Sequence, residues 1–298
     1  MAGFVLIYFP FGNGCFHALI TSVVVYVFMV TSPKKCGNLA WGFAFPYLIG
    51  NHIHQASGMA WKDGQLDFTG AQMILTLKLV SVAMCYQDGA CSDKSRLHPY
   101  GLSKMITTCP SILEYFSYLF AAGNLLSGPT FEAKDYFDYI NRVGDWDEKH
   151  RPECRIPNPW TPGIYRFGKA LCCGAVWIYF TGHGINVDLI ESEYWRKDLS
   201  FTVRCLALWA TIVVYRFKYY AVWCISEAGM IFSGFGYRMR DENGRPRWDR
   251  YISSHIRRVE LNPSLADTPK HWNLCTGLWL RHCTFPIVLL NFFFFLWY

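Results

Sequence analysis

At 298 residues the chain could hold one or two domains, but it is 52% hydrophobic, 18% aromatic and only 17% charged, against roughly a quarter charged in a soluble globule. The net charge of +6 comes with no nucleic-acid recognition motif, so nucleic acid is set aside as a partner. The apolar residues gather into long runs, which predicts an all-α, polytopic transmembrane protein whose aromatic residues serve both interfaces and an internal pocket.

In chain order, Phe16–Val30 is the first apolar run and stops at Ser32-Pro33-Lys34-Lys35, a polar cap with an inside-type charge pair. Leu39–Ile49 resumes the run, with Pro46 as a kink. His52 and His54 follow as an HxH pair, which on a helix points to two different faces and so makes a poor metal site. Phe68–Tyr86 is interrupted by Lys78, which either snorkels to the interface or faces the interior. Ile112–Leu126 is short for a span and carries Glu114 and Asn124, so it is expected to tilt or re-enter. Asn141–Pro162 is polar, with three prolines from Pro152 to Pro159, and reads as an interfacial excursion. Ile164–Ile185 is the next span, and His183 at its end, between two glycines, reads as a loop residue. Glu191–Asp198 is a charged turn, and Phe201–Tyr215 is apolar save for Arg204.

The stretch Phe217–Tyr237 then places a carboxylate inside an aromatic helix. Tyr219, Trp223 and Glu227 recur at a spacing of four and share one face, while Ser226, Gly229, Ser233 and Gly236 line another with small side chains that admit a neighbouring backbone. Glu227 at that depth either faces a watery chamber or pairs with a cation from a neighbouring helix. Tyr237–Lys270 is soluble in character and holds seven arginines between Arg238 and Arg258, among them Arg245, Arg247 and Arg250, which marks it as cytosolic. His271–Cys283 is amphipathic, with Trp272, Asn273, Thr276 and Leu280 expected on one helical face. The final apolar run, Phe285–Tyr298, has fourteen residues, short of the ~20 a span needs. Both ends are therefore expected to be cut. Twelve cysteines are scattered without a CxxC pair, so neither zinc nor disulfides are expected. The residues alone leave a transporter, a channel or a lipid-modifying enzyme.

Six stretches narrow this. FPYLIGNHIHQASGMAW, GAQMILTLKLVSVAMCYQDG, PSILEYFSYLFAAGNLLSGPTFEAKDY, RFKYYAVWCISEAGMIFSGFGY, the Trp248-Asp249 pair and HWNLCTGLWLRHC together resemble the membrane-bound O-acyltransferase family, in its lysophospholipid acyltransferase branch. The resemblance implies one multi-pass domain of the endoplasmic reticulum membrane over residues 1–298, expected to lack its first and last helices and built around a central chamber. It implies transfer of an acyl group from acyl-CoA, as co-substrate and not a cofactor, to a lysophospholipid hydroxyl.

The family's active-site asparagine falls on Asn273. Its histidine, in a later WHG motif, has no counterpart; the chain stops at Leu296-Trp297-Tyr298. A lipid hydroxyl needs a general base, so the chain as given is expected to be inactive, with His282 a poor substitute. Tyr219, Trp223, Ser226 and Glu227 are expected to line the substrate chamber, and Arg245, Arg247 and Arg250 to meet the CoA phosphates. Acyl-CoA, lysophospholipid and membrane lipids are the expected partners; oligomeric state is not legible. The rivals are a non-catalytic lipid-binding member that has lost its histidine and a transporter using Lys78, Arg204 and Glu227.

Overall fold

In a membrane, backbone N–H and C=O groups must be satisfied within the chain. They are satisfied as helices through most of residues 2–57 and 67–284, the residues this computed structural model describes. Among them the chain is all-helical, as expected, with no strand and one isolated bridge between Arg240 and Pro246. Among the described residues three stretches are long and apolar enough to cross a membrane: Gly3–Thr31, Thr69–Ala90 and Trp160–Glu191. Contacts divide the chain into two units, Met1–Ile156 with Cys275–Tyr298 and Pro157–Leu274.

The first unit begins with α1 (Ala2–Phe11), α2 (Phe16–Thr31) and α3 (Cys36–Ala56). On α2, Phe16, Ile20, Val23, Val27 and Val30 are exposed, while Ala18, Thr21, Ser22 and Val25 are buried. Large apolar side chains outside and small or hydroxylated ones inside suit a helix surrounded by lipid. α3 runs through Pro46 and packs on α4 (Thr69–Ala90). Gly37 makes this approach possible, since a Cβ there would lie 2.4 Å from Met84 Sδ.

Most of α4 is buried, including Gln72, Thr76, Lys78 and Ser81. Lys78 faces the interior: its Nζ donates to Asn124 Oδ1 at 3.1 Å and lies 5.1 and 5.2 Å from the Tyr118 and Phe131 ring centres. α5 (Pro99–Lys104), α6 (Ile112–Leu119) and α7 (Ala133–Ile140) are short. The helix expected over Ile112–Leu126 thus ends seven residues early. Glu114 is consumed in a capping box with Ser111, and the Asn124 amide turns inward to donate to Pro129 O at 2.9 Å. Gly144–Trp146 and Pro152–Cys154 are single 3-10 turns in the polar excursion. The chain returns to this unit in a helix over Leu274–Trp279, continued as a π-helical turn over Leu280–Thr284. Trp279 anchors it, donating its indole N–H to Leu77 O at 2.9 Å and packing with Ala44, Val80 and Met84.

The second unit is built on α8 (Trp160–Gly182) and α11 (Phe201–Phe232), with the short α9 (Val187–Glu191) and α10 (Glu193–Lys197) between them and α12 (Ile256–Glu260) after them. The two long helices run antiparallel. Gly163 meets Phe232, Gly174 meets Ala221, and Lys218 lies over the Trp177 ring, so each step along α8 is matched by a step back along α11. The charged turn expected over Glu191–Asp198 is largely helical, because Asn186 and Ser192 each cap a further turn.

α11 absorbs both Phe201–Tyr215 and the first part of the aromatic stretch into 32 continuous residues, about 48 Å at 1.5 Å per residue. It ends at Phe232, where Ser233 is the C-cap and Gly234, at φ +84°, takes the left-handed position that closes the helix. The expected small-residue face therefore breaks after Gly229. A Cβ on Gly229 would meet open space, whereas one on Gly163 would lie 2.4 Å from the Phe232 ring. The close approach is supplied by α8.

All twelve cysteines are free thiols. Residues 58–61 of the first motif and the terminal run with Leu296, Trp297 and Tyr298 lie outside the described residues.

Candidate active site

Glu227 is 4% exposed on α11. Its Oε2 lies 3.0 Å from Arg166 Nη1 on α8, and its Oε1 accepts the backbone N–H of Ser253 at 2.7 Å. A buried carboxylate needs this compensation. The antiparallel register places the arginine opposite it. Of the two sequence readings, ion pairing is the one this geometry displays.

Ser253 carries the connection onward. Its carbonyl accepts the Leu274 N–H at 2.8 Å, and the His271 carbonyl accepts the His255 N–H and the Ser254 hydroxyl, both at 3.0 Å. Residues 253–255 and 271–274 are thereby laced together around Trp272 and Asn273. Asn273 is partly buried and sits at φ +48°, a left-handed conformation that asparagine tolerates better than most residues. It precedes the helix Leu274–Trp279, so the single helical face expected for Trp272, Asn273, Thr276 and Leu280 is not formed; the left-handed residue breaks it.

Trp272, the residue before Asn273 in the chain, packs into an aromatic cluster on α11. Its ring centre lies 4.9 Å from Trp223, 5.6 Å from Tyr220 and 6.0 Å from Tyr219, all edge-on. Trp223 is buried, Tyr219 half-exposed, and Ser226 buried one residue before Glu227. Four of the residues singled out on α11 and the returning segment (Tyr219, Trp223, Glu227, Asn273) therefore converge, through Trp272 on one side and Ser253 on the other.

The arginine loop does not converge in the same way. Residues 238–239 and Arg247 are bonded across a turn that contains Gly244, through Arg238 N–H to Arg247 O and Arg247 N–H to Met239 O. The Arg247 guanidinium is 2.5 Å from Asp249, Arg250 Nε donates to Tyr237 O at 2.8 Å, and Arg245 is exposed. A basic cleft lies instead at Arg257, Arg258, Asn262, Asp267, Lys270 and His271, about 650 Å³ in volume. An apolar cleft of about 730 Å³, lined by Tyr165, Cys172, Phe217 and Ile256, shares Arg257 and Leu261 with it.

The wall between α11 and α12 is braced by Glu260, which takes a bidentate Arg216 at 2.8 and 2.6 Å and the Tyr220 hydroxyl at 2.6 Å. Burial opposes ionisation of Glu260, but these hydrogen bonds outweigh it and hold the carboxyl below the ordinary glutamate range.

The remaining candidates are occupied or peripheral. His282 Nε2 is 3.0 Å from Asp88 and its Nδ1 3.5 Å from Glu132, so both ring nitrogens already face carboxylates. His183 is exposed and bonds its own helix at Tyr179 O, and His52 and His54 are exposed. Arg204 Nε donates to Leu199 O at 2.9 Å. With Glu227 held by Arg166 and Lys78 by Asn124, each charge of the suggested ion path has a local partner. Sequence reasoning missed Arg166, Ser253 and the Arg257–Lys270 cleft. The first had a usable signal, a lone arginine at the start of an apolar run, which pairs only with something buried opposite. Ser253 had none.

The sequence profile of the membrane-bound O-acyltransferase family matches residues 53–283. The chain is 33% identical over 295 residues to "Lysophospholipid acyltransferase 1" of Arabidopsis thaliana, covering 97% of this chain and 62% of that protein. It is 30% identical over 265 residues to "Lysophospholipid acyltransferase" of Saccharomyces cerevisiae, covering 85% and 43%. With "Membrane-bound glycerophospholipid O-acyltransferase 2" of Mus musculus it shares 28% over 291 residues, covering 94% and 56%. The chain thus spans less than two thirds of the length of these relatives.

Proposed function

We propose, for a chain that belongs to the membrane-bound O-acyltransferase family, that the protein transfers an acyl group from acyl-CoA to a lysophospholipid hydroxyl in the endoplasmic reticulum membrane. The hydroxyl oxygen attacks the thioester carbonyl carbon, the C–O bond forms, the C–S bond breaks, and the hydroxyl proton ends on the CoA thiol. Asn273 is the residue of this chain assigned to the chemistry in this reading; a neutral amide does not take the hydroxyl proton, so the general base is a separate group. The Asn273 amide N–H donates to the thioester carbonyl oxygen, where negative charge develops.

The observation that supports this most is the lacing around Asn273. Arg166, Glu227, Ser253 and Leu274 form one chain of contacts that fixes an amide in a left-handed backbone position. Pre-set donors of this kind lose little on reaching the transition state. Glu227 is then a positioning residue, and Tyr219 and Trp223 shape the wall beside the amide. The paired clefts supply the amphipathic complement: Arg257, Arg258 and Lys270 meet the CoA phosphates and the apolar cleft takes chain or pantetheine. Arg245, Arg247 and Arg250 are assigned to headgroup attraction instead.

The test uses membranes carrying the full reading frame that contains this chain, supplied with labelled acyl-CoA and lysophospholipid. Asn273→Ala is expected to lower turnover about 10²–10³-fold, as removal of one oxyanion donor does. Neutralising Arg257, Arg258 and Lys270 together should raise KM for acyl-CoA more than for lysophospholipid. Unchanged turnover in Asn273→Ala contradicts the role of the amide, and equal KM changes contradict a CoA cleft.

A further inference from the structure

In the first unit, nitrogen, sulfur and oxygen donors from three distant segments meet in a buried cluster. Cys85 lies in the last turns of α4, Glu132 is the N-cap of α7, and His282 sits in the π-helical turn that follows Trp279. Their donor atoms all lie within 4.8 Å of one another, and all three residues are buried. Cys85 Sγ is 3.4 Å from Glu132 Oε2, and His282 Nδ1 is 3.5 Å from Glu132 Oε1. Metal–ligand bonds of ~2.0–2.3 Å at tetrahedral angles put neighbouring donors roughly 3.5 Å apart, so the thiol and the imidazole each stand at about that distance from one oxygen of the Glu132 carboxylate.

The imidazole is also oriented for the task. Asp88 takes His282 Nε2 at 3.0 Å, which leaves Nδ1 directed at Glu132 and Cys85. A carboxylate on one ring nitrogen with the other turned to the cluster is the arrangement that supports a metal-ligating histidine. Ser81 Oγ and Tyr100 OH donate to the Glu132 carboxylate and fix its plane. Cys283 Sγ, 3.9 Å from His282 Nδ1, is within reach of a fourth position.

We propose that Cys85, Glu132 and His282 form a binding site for one divalent cation of the zinc class, with Asp88 as the residue that positions His282. A thiolate–imidazole–carboxylate set favours zinc over magnesium or calcium, which prefer all-oxygen shells. Binding releases the Cys85 thiol proton, and His282 coordinates through Nδ1 as a neutral imidazole. The cluster lies near the end of Thr69–Ala90, one of the candidate spans. The ion would therefore tie α4, the start of α7 and the returning segment together where a span meets the interface.

The experiment loads the detergent-purified full-length protein with zinc or with cobalt(II), removes loose metal by gel filtration, and measures bound metal and the optical spectrum. The expected result is stoichiometric metal, a near-ultraviolet thiolate-to-cobalt charge-transfer band, and loss of both in Cys85→Ser and His282→Gln. Asp88→Asn should weaken zinc affinity about 10–100-fold, as loss of an outer-shell partner does. The wild-type spectrum decides even where a variant fails to fold. A folded wild-type protein that binds no metal above a metal-free control, or binds it without the thiolate band, overturns the proposal. So does stoichiometric metal retained in folded Cys85→Ser, which would place the ion elsewhere, or leave the cluster as a hydrogen-bond network alone.

Discussion

Glu227 and Glu132 are both buried carboxylates, and the two units hold them by opposite means. Glu227 is compensated by a guanidinium from the neighbouring helix α8 and by one backbone N–H from the loop at Ser253. Glu132 is surrounded by side chains alone: a serine, a thiol, a phenol and an imidazole. The difference separates two uses of buried charge. A carboxylate spent on an ion pair and a main-chain amide fixes geometry, whereas one ringed by N, S and O donors offers coordination.

The largest expected effect comes from breaking the ion pair. Arg166→Met strands the Glu227 charge and is expected to cost about 3–5 kcal/mol of stability, as removal of one partner from a buried pair does. Detergent-phase denaturation measures it, and Arg166→Met with Glu227→Leu should recover most of the loss. A double-variant loss equal to the sum of the Arg166→Met and Glu227→Leu losses would show that the pair is not coupled.

Glu132→Gln keeps an acceptor oxygen for Ser81 and Tyr100 and should cost less, about 1–3 kcal/mol, by the same denaturation measurement. A cost above that of Arg166→Met would reverse the contrast between the two carboxylates.

The smallest effect is expected at Glu260, whose carboxyl is held below the ordinary glutamate value. A depressed folded value means its contribution is fully present above the unfolded value, ~4.3, and is lost as pH falls through the lower folded one. Glu260→Gln should therefore flatten part of the acid limb of stability against pH and leave the neutral region's slope unchanged. An identical acid limb in both proteins would contradict the assignment.

These contacts also mark how far the sequence could be read. Helical periodicity and apolar runs suffice for α2, α4, α8 and α11, because a span long enough to bury its own hydrogen bonds has few alternatives. They fail at the far end of Ile112–Leu126: the Ser111 capping box starts the helix where expected, but it stops at Leu119, and Asn124 beyond it donates to Pro129 O instead of continuing the helix. The Tyr219, Trp223 and Glu227 face is legible because one helix carries it. Arg166 and Ser253 are not, since each meets Glu227 only after antiparallel packing or a loop reversal. The arginine loop shows a related point: proximity in sequence is not by itself a cluster, since Arg247 pairs with Asp249 and Arg250 Nε donates to Tyr237 O. The expectation of no zinc rested on the absence of CxxC spacing; a cluster such as Cys85, Glu132 and His282, brought together from distant parts of the chain, leaves no spacing signal for or against it.

The central claim is that Glu227 acts through Asn273, and a double-mutant cycle on acyl transfer tests it most directly. Turnover per folded enzyme is measured for Glu227→Gln, Asn273→Ala and the double variant, with acyl-CoA and lysophospholipid both saturating. If Glu227 only positions the amide, Glu227→Gln slows turnover on its own, and the double variant is no slower than Asn273→Ala alone. If the two losses multiply, Glu227 contributes to transfer independently of Asn273, and the positioning role is contradicted.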